Sequence, residues 1–139
     1  MANSNFDARE LLSKAISARE SSYCPYSSIS VGAALLTANG RVYLGANIEN
    51  ASFTPTVCAE RVAFFKAISE GERDFVAIAV AGGEKGKPSK ADFPPCGVCR
   101  QVMGEFCSAD FRVIWGDGEN ITDLTLAEIL PHSFDKTNI

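Results

Sequence analysis

Two short cysteine segments constrain this chain most: Cys58-Ala59-Glu60-Arg61 and, much later, Pro95-Cys96-Gly97-Val98-Cys99. Singly each is weak, because a Cys-x-x-Cys serves a redox pair or half of a structural zinc site as readily as a catalytic one. Together they offer three thiols and one carboxylate, with the acid on the same segment as the first thiol. Three protein ligands, a fourth position for water and a nearby Glu that does not bind the metal make the donor set of a catalytic zinc site. A fold that uses this set must bring both segments to one point.

The pattern around these segments is that of an α/β domain. From Asn5 to about Ser22 the apolar residues Phe6, Leu11, Leu12, Ala15 and Ile16 recur at helical spacing, with Ser4 or Asn5 as the expected cap and Pro25 as the stop. Val31–Leu36 and Val42–Leu44 flank Asn39-Gly40, a hairpin signal because both turn residues tolerate positive φ. The first of these strands is apolar on both faces and belongs inside a covered sheet. Asn47-Ile48-Glu49-Asn50 follows the second strand, and its polar side chains either line a cleft at the sheet's end or make an exposed turn.

A helix is predicted from about Cys58 to Glu70, with Ala59, Val62, Ala63, Phe65 and Ile68 apolar and Gly71 as the stop. Phe75–Ala81 is an unbroken apolar strand, hence buried, and Gly82–Pro95 reads as a long loop. A second motif helix runs from about Gly97 to Cys107, with Val98, Val102 and Phe106 on one stripe. Strands at Phe111–Trp115 and Ile121–Leu124 follow, and Thr125-Leu126-Ala127-Glu128 has the spacing of a capping box that opens a short helix before Pro131. The sum is a three-layer α/β/α architecture with a mixed sheet of about five strands, read as one domain over 1–139.

Composition excludes several classes. The formal charge of −4 disfavours a protein that tracks a nucleic-acid backbone, and Lys85, Lys87 and Lys90 fit a solvated loop. No apolar run approaches the roughly 18 residues of a membrane span, and Met1-Ala2-Asn3-Ser4-Asn5 lacks the pattern of a signal peptide, so a cytoplasmic location is expected. There, five cysteines point to metal or catalysis more than to disulfides. Cys24 and Cys107 fall outside the motif as packing residues, and the single histidine, His132, sits beside a helix stop.

The chemistry suits the residue types. Cys58 begins one helix while Cys96 and Cys99 bracket the start of another. A helix N-terminus lowers a thiol's pKa and favours the metal-binding thiolate. Zinc on three thiolates carries net negative charge, which blunts its power to acidify water, so Arg61 is expected to donate hydrogen bonds to the sulfurs. Glu60, not needed as a ligand, is suited to carry protons between water, substrate and leaving group.

Tyr26-Ser27 with Val31–Leu36, Asn47-Ile48-Glu49-Asn50, Cys58-Ala59-Glu60-Arg61, Pro95-Cys96-Gly97-Val98-Cys99-Arg100-Gln101 and Leu130-Pro131 with Phe134 run in the order found in short-form cytidine deaminases. The chain resembles that family over nearly its whole length, and the cysteine–glutamate pattern is a signature already described for zinc deaminases. The resemblance implies a homotetramer with one Zn2+ per subunit on Cys58, Cys96 and Cys99, and Glu60 as proton shuttle. It implies hydrolysis of free cytidine and deoxycytidine to the uridines and ammonia, in pyrimidine salvage, with zinc-bound hydroxide attacking C4 of the base. It further assigns Asn47 and Glu49 to the ribose hydroxyls, the Ala59 backbone to the base, and Phe134 to a neighbouring subunit's site.

One departure stands out. The family usually has Phe after the Tyr-Ser pair, its ring packed on the pyrimidine, and this chain has Ile29. Ile keeps apolar contact but loses the flat face, a difference of about 0.5–1.5 kcal/mol. Phe53-Thr54-Pro55 also replaces the commoner Tyr-Gly-Leu. Within the enzyme class the alternative is deamination of a related aminopyrimidine nucleoside, such as a blasticidin-like antibiotic. A redox pair at Cys96 and Cys99 would leave Cys58 and Glu60 without a role, and a structural zinc module would want a fourth protein ligand.

Overall fold

The computed structural model describes residues 5–139. Asn39-Gly40 forms the expected hairpin: β1 (Ile29–Thr37) and β2 (Val42–Ala46) pair antiparallel, with Gly40 at φ +88°. β3 (Phe75–Glu84) lies antiparallel on the other side of β1, then β4 (Arg112–Gly116) parallel to β3, and β5 (Ile121–Thr125) antiparallel to β4. The sheet order β2-β1-β3-β4-β5 puts β3 in the middle of a five-stranded mixed sheet.

Both faces of that sheet are covered, as unbroken apolar strands require. On one face Leu11, Leu12 and Ala15 of α1 (Ala8–Ala18) pack on Ala34, Ala77, Ala79 and Ile114. On the other, Phe64 and Ala63 of α2 (Ala59–Ser69) and Met103 of α3 (Gly97–Phe106) pack on Ala33, Leu35, Ile78, Val80 and Val113. The alternation along β1 and β3 sends successive side chains to opposite layers. Alanines on the α1 side let that helix sit close, and at Gly32 an added Cβ would lie 2.0 Å from the Ala15 carbonyl oxygen. The α/β/α sandwich expected from the sequence is the fold observed. The short α4 (Leu126–Ile129) opens on the capping box of Thr125 and Glu128.

Five local expectations are corrected. The cap of α1 is Asp7, whose carboxylate accepts from the Arg9 and Glu10 N–H groups, in place of Asn5; Ser4 lies outside the described residues. Phe6 precedes the helix, with the Arg112 guanidinium 4.7 Å over its ring. On α2 the buried aromatic is Phe64, edge-on to Phe75 at 5.3 Å, while Phe65 is half exposed. On α3 Cys99 and Met103 face the core and Val98 faces out. β3 also runs three residues past Ala81, because Gly82, Gly83 and Glu84 continue the ladder with Val31, Ser30 and Ile29.

Candidate metal centre and substrate cleft

α2 and α3 both begin at a cysteine in the cap position, and both caps have extended backbone. Ser, Thr, Asp or Asn is preferred there because a side-chain oxygen bonds the free N–H groups of the first turn. Neither Cys58 nor Cys96 makes such a bond, so each thiol is available to another partner. Cys99 lies in the first turn of α3, and the three Sγ atoms of Cys58, Cys96 and Cys99 fall within 4.8 Å of one another. A tetrahedral zinc with Zn–S of about 2.3 Å spaces its sulfurs by about 3.8 Å. The Cys58–Cys96 separation is 3.8 Å, so that pair already has the spacing this ion requires, with the third sulfur close by.

The charges around the sulfurs are arranged in the same sense. A hydrogen bond from the Cys99 thiol, assisted by Arg61, pulls the Cys58 thiol down to about 5 against the opposing effect of burial. Cys99 is correspondingly pushed up, because its proton is held against the Cys58 thiolate. The Arg61 Nη2 donates to Cys58 Sγ at 3.3 Å, while Arg61 Nε, also buried, has no hydrogen-bond partner among the described residues. One turn of helix thus carries a thiolate and its cation.

Glu60 is only 3% exposed. Burial pushes its carboxyl up to about 7; the Cys58 thiolate adds to this, while the Cys99 thiol and Arg61 oppose it. Ala59, between Cys58 and Glu60, is fully buried.

Asn47 and Glu49 are brought to the same end of the sheet. Asn47 is buried; its amide nitrogen donates to the Ile29 carbonyl at 2.8 Å and its oxygen accepts from the Val31 N–H at 2.9 Å. Glu49 Oε1 accepts from the Tyr26 and Ser27 N–H groups at 2.9 and 3.1 Å, and Oε2 accepts from the Ser27 hydroxyl. These bonds, Ser27's first, hold the Glu49 carboxyl below its ordinary value of 4.5. A cleft of about 330 Å³ opens beside it, lined by Tyr26, Ser27, Glu49, Asn50, Phe53 and Thr56. Of the polar run after β2, Glu49 and Asn50 form part of the cleft wall, while Asn47 is turned onto the backbone of β1.

Ile29, half-buried, begins β1 directly after Ser28, whose φ of 61° is left-handed. Phe134 is 62% exposed, with its carbonyl held by the Gln101 side chain at 2.7 Å. Two contributors were missed by the motif reading. Ser27 clasps Glu49, and Arg100 donates to the Pro95 carbonyl at 2.9 Å and the Ile129 carbonyl at 3.0 Å, tying down the turn that carries Cys96. Both fall within the motif stretches Tyr26-Ser27 and Cys99-Arg100-Gln101, but the residue types alone suggest no role for either.

The family described as "Cytidine and deoxycytidylate deaminase zinc-binding region" matches residues 6–115. A protein of Halalkalibacterium halodurans named cytidine deaminase is 53% identical over 129 residues, 92% of this chain and 94% of its own. One of Sporosarcina psychrophila with the same name is 44% identical over 137 residues, 96% and 95% of the two chains. The crystal structure of cytidine deaminase from Burkholderia pseudomallei superposes with a TM-score of 0.82 at 40% identity, covering 93% of this chain and 100% of that one.

Proposed function

The chain belongs to the cytidine and deoxycytidylate deaminase zinc-binding family, and from that premise we propose that it hydrolyses free cytidine and deoxycytidine to uridine, deoxyuridine and ammonia. It is a zinc-dependent enzyme, and the observation that carries the reading is the cluster of Cys58, Cys96 and Cys99 with the buried Glu60 on the same helix start. The three thiolates would hold the ion, and zinc, when bound, supplies Lewis-acid activation of a water at neutral pH.

The protein's own groups do the rest. Glu60 takes a proton from the attacking water, passes it to the pyrimidine ring and later protonates the leaving ammonia. Its burial makes a lone carboxylate unfavourable there, so it accepts a proton readily and returns it when charge develops on the substrate. Arg61 offsets the negative charge of the thiolates. Asn47 retains one amide hydrogen and one lone pair beyond its two backbone bonds, and with Glu49 it holds the ribose hydroxyls. The Ala59 backbone meets the base, and Ile29 forms the wall its ring faces.

We place this chemistry in a single deaminase domain over 1–139, within a cytoplasmic homotetramer that serves pyrimidine salvage. Support for the assembly comes from large apolar side chains left in solvent, Leu44, Ile48, Phe65 and Val98 among them, and from Phe134, exposed in a polar tail and suited to enter a neighbour's site. No helix among the described residues is long and apolar enough to cross a membrane.

The test is a panel of aminopyrimidine nucleosides followed by ultraviolet absorbance, comparing wild type with Glu60→Ala at equal zinc content. Cytidine and deoxycytidine are expected to be turned over by the wild type, with a loss of about 10²–10⁴ in kcat for the variant. A zinc-loaded wild type inert to the whole panel would refute the reading. A variant that keeps most of its activity would remove Glu60 from it.

A further inference from the structure

We infer that Arg19, on the far side of β1 from Asn47, is a positioning residue that fixes the Ile29 wall of the base pocket; this rests on the reading of Ile29 as that wall. Arg19 opens the 3-10 turn Arg19–Ser21 after α1 and is 8% exposed. Its Nε donates to the Ser30 carbonyl at 3.0 Å and the Ser30 hydroxyl at 3.2 Å, Nη1 to the Lys87 carbonyl at 3.0 Å and Nη2 to the Glu84 carbonyl at 3.1 Å. None of these acceptors is a carboxylate. The cation is thus buried without a counter-charge among its bonds, and burial lowers its pKa from the ordinary 12.5. A buried charge of this kind is costly unless its hydrogen bonds are made, so the guanidinium tolerates little displacement of the carbonyls it grips.

What those carbonyls belong to decides the role. Ser30 follows Ile29, Glu84 is the register partner of Ile29 across the β1–β3 ladder, and Lys87 lies in the loop that leads to Cys96. The planar fork of arginine fixes all three directions at once, which a lysine ammonium does not. Gly83 gives the fork room, since a Cβ there would lie 3.4 Å from Nη2 and 3.1 Å from the Pro88 oxygen, while Gly32 lets the end of α1 sit close, with a Cβ there 2.6 Å from the Arg19 backbone nitrogen.

On the opposite side Asn47 holds the Ile29 carbonyl and the Val31 N–H, and just past the end of β3 the Lys85 N–H holds the Ser28 carbonyl at 2.8 Å. Ser28, left-handed and not glycine, is held in that backbone by its own N–H on the Cys24 carbonyl at 3.1 Å and by the Lys85 bond to its carbonyl. Ile29 is therefore held between a sugar-binding residue in front and Arg19 behind. The zinc cysteines and Glu60 are on α2 and α3, and the turn before Cys96 is tied separately by Arg100. Releasing the fork should disturb the grip on the base and leave proton transfer intact.

The experiment is Arg19→Lys in the zinc-loaded enzyme, with cytidine kinetics and residue-resolved amide exchange. The expected result is a rise in KM of about tenfold or more with kcat within about twofold. The Val31 and Lys85 amides should exchange faster while those of Val113 and Ile114 in β4 keep their rates, which general destabilisation would not produce. Should Arg19→Lys fail to fold, Ser30→Ala, which removes one acceptor of Nε, is expected to give a smaller KM rise at constant kcat. Unchanged KM, a loss confined to kcat, or uniform exchange across the sheet would overturn the inference. If the wild type deaminates nothing, the reading of the pocket falls, and amide exchange alone decides whether Arg19 braces this segment.

Discussion

Arg61 lies one turn along α2 from Cys58 and donates to its sulfur at 3.3 Å, so the candidate metal thiolate and a neighbouring cation are fixed by the same helix. Outer partners of metal ligands typically account for 10–100-fold in metal affinity or activity. Arg61→Gln is expected to weaken zinc by about that factor, read by competition with a chromophoric chelator. Unaltered affinity and unaltered kcat would mean that the helix dipoles alone carry the compensation.

Glu49 gives the pH dependence. Its folded pKa is depressed below 4.5, first by the Ser27 hydroxyl and then by the Tyr26 and Ser27 N–H groups. For a depressed carboxylate the stabilising contribution is present above the unfolded pKa and is lost as pH falls through the folded value. The KM for cytidine should stay flat through the ordinary carboxylate range and rise only below it. Ser27→Ala should move that rise to higher pH. Superimposable KM–pH profiles for the two proteins would contradict the assignment.

Gly45 sits under α2. A Cβ there would lie 2.3 Å from the Ala59 carbonyl oxygen and 2.7 Å from the Ala63 nitrogen, both backbone atoms that cannot rotate away. Gly45→Ala should therefore push α2 off β2 at a cost of about 1–3 kcal/mol. The measurements are chemical denaturation and retained zinc; an unchanged midpoint would show that the helix yields without strain.

Ile29→Phe restores a flat apolar face at the pocket wall. Aromatic contacts of this kind contribute about 0.5–1.5 kcal/mol, or roughly two- to tenfold. KM for cytidine is expected to fall by that factor with kcat unchanged. No change, or a fall in kcat, would place the base elsewhere.

Much of the molecule was legible in the chain because its signals are local. Asn39-Gly40, the capping box at Thr125 and the cysteine–glutamate segments each announce a backbone geometry within a few residues. The misreadings on α2 and α3 have one cause. α2 is apolar around much of its circumference, since it faces the sheet and α3 at once, and adjacent Phe64 and Phe65 cannot both point inward. Periodicity does not choose between them; the position of β3 and Phe75 does. Val98 was misplaced for the same reason, with Cys99 and Met103 turned inward by the sheet. Arg19 was invisible in a different way. A charged residue on an amphipathic first helix reads as solvated, and its acceptors are carbonyls from two other strands and a loop. Apart from the Ser27 hydroxyl, the Asn47 and Glu49 clasps on 26–31 are likewise made to backbone groups, which leave no trace in residue types.

Cys58 and Cys96 stand at the two ends of a stretch that contains α2 and β3, the central strand of the sheet. An ion gripping both closes that stretch into a ring and clasps the two helices on one side of the molecule. Metal held only by the folded form adds its binding energy to folding. A zinc-starved cell would accordingly hold fewer copies, because molecules opened at α2 and α3 are the ones proteases reach. Metal supply then governs how long each copy survives as well as how fast it works.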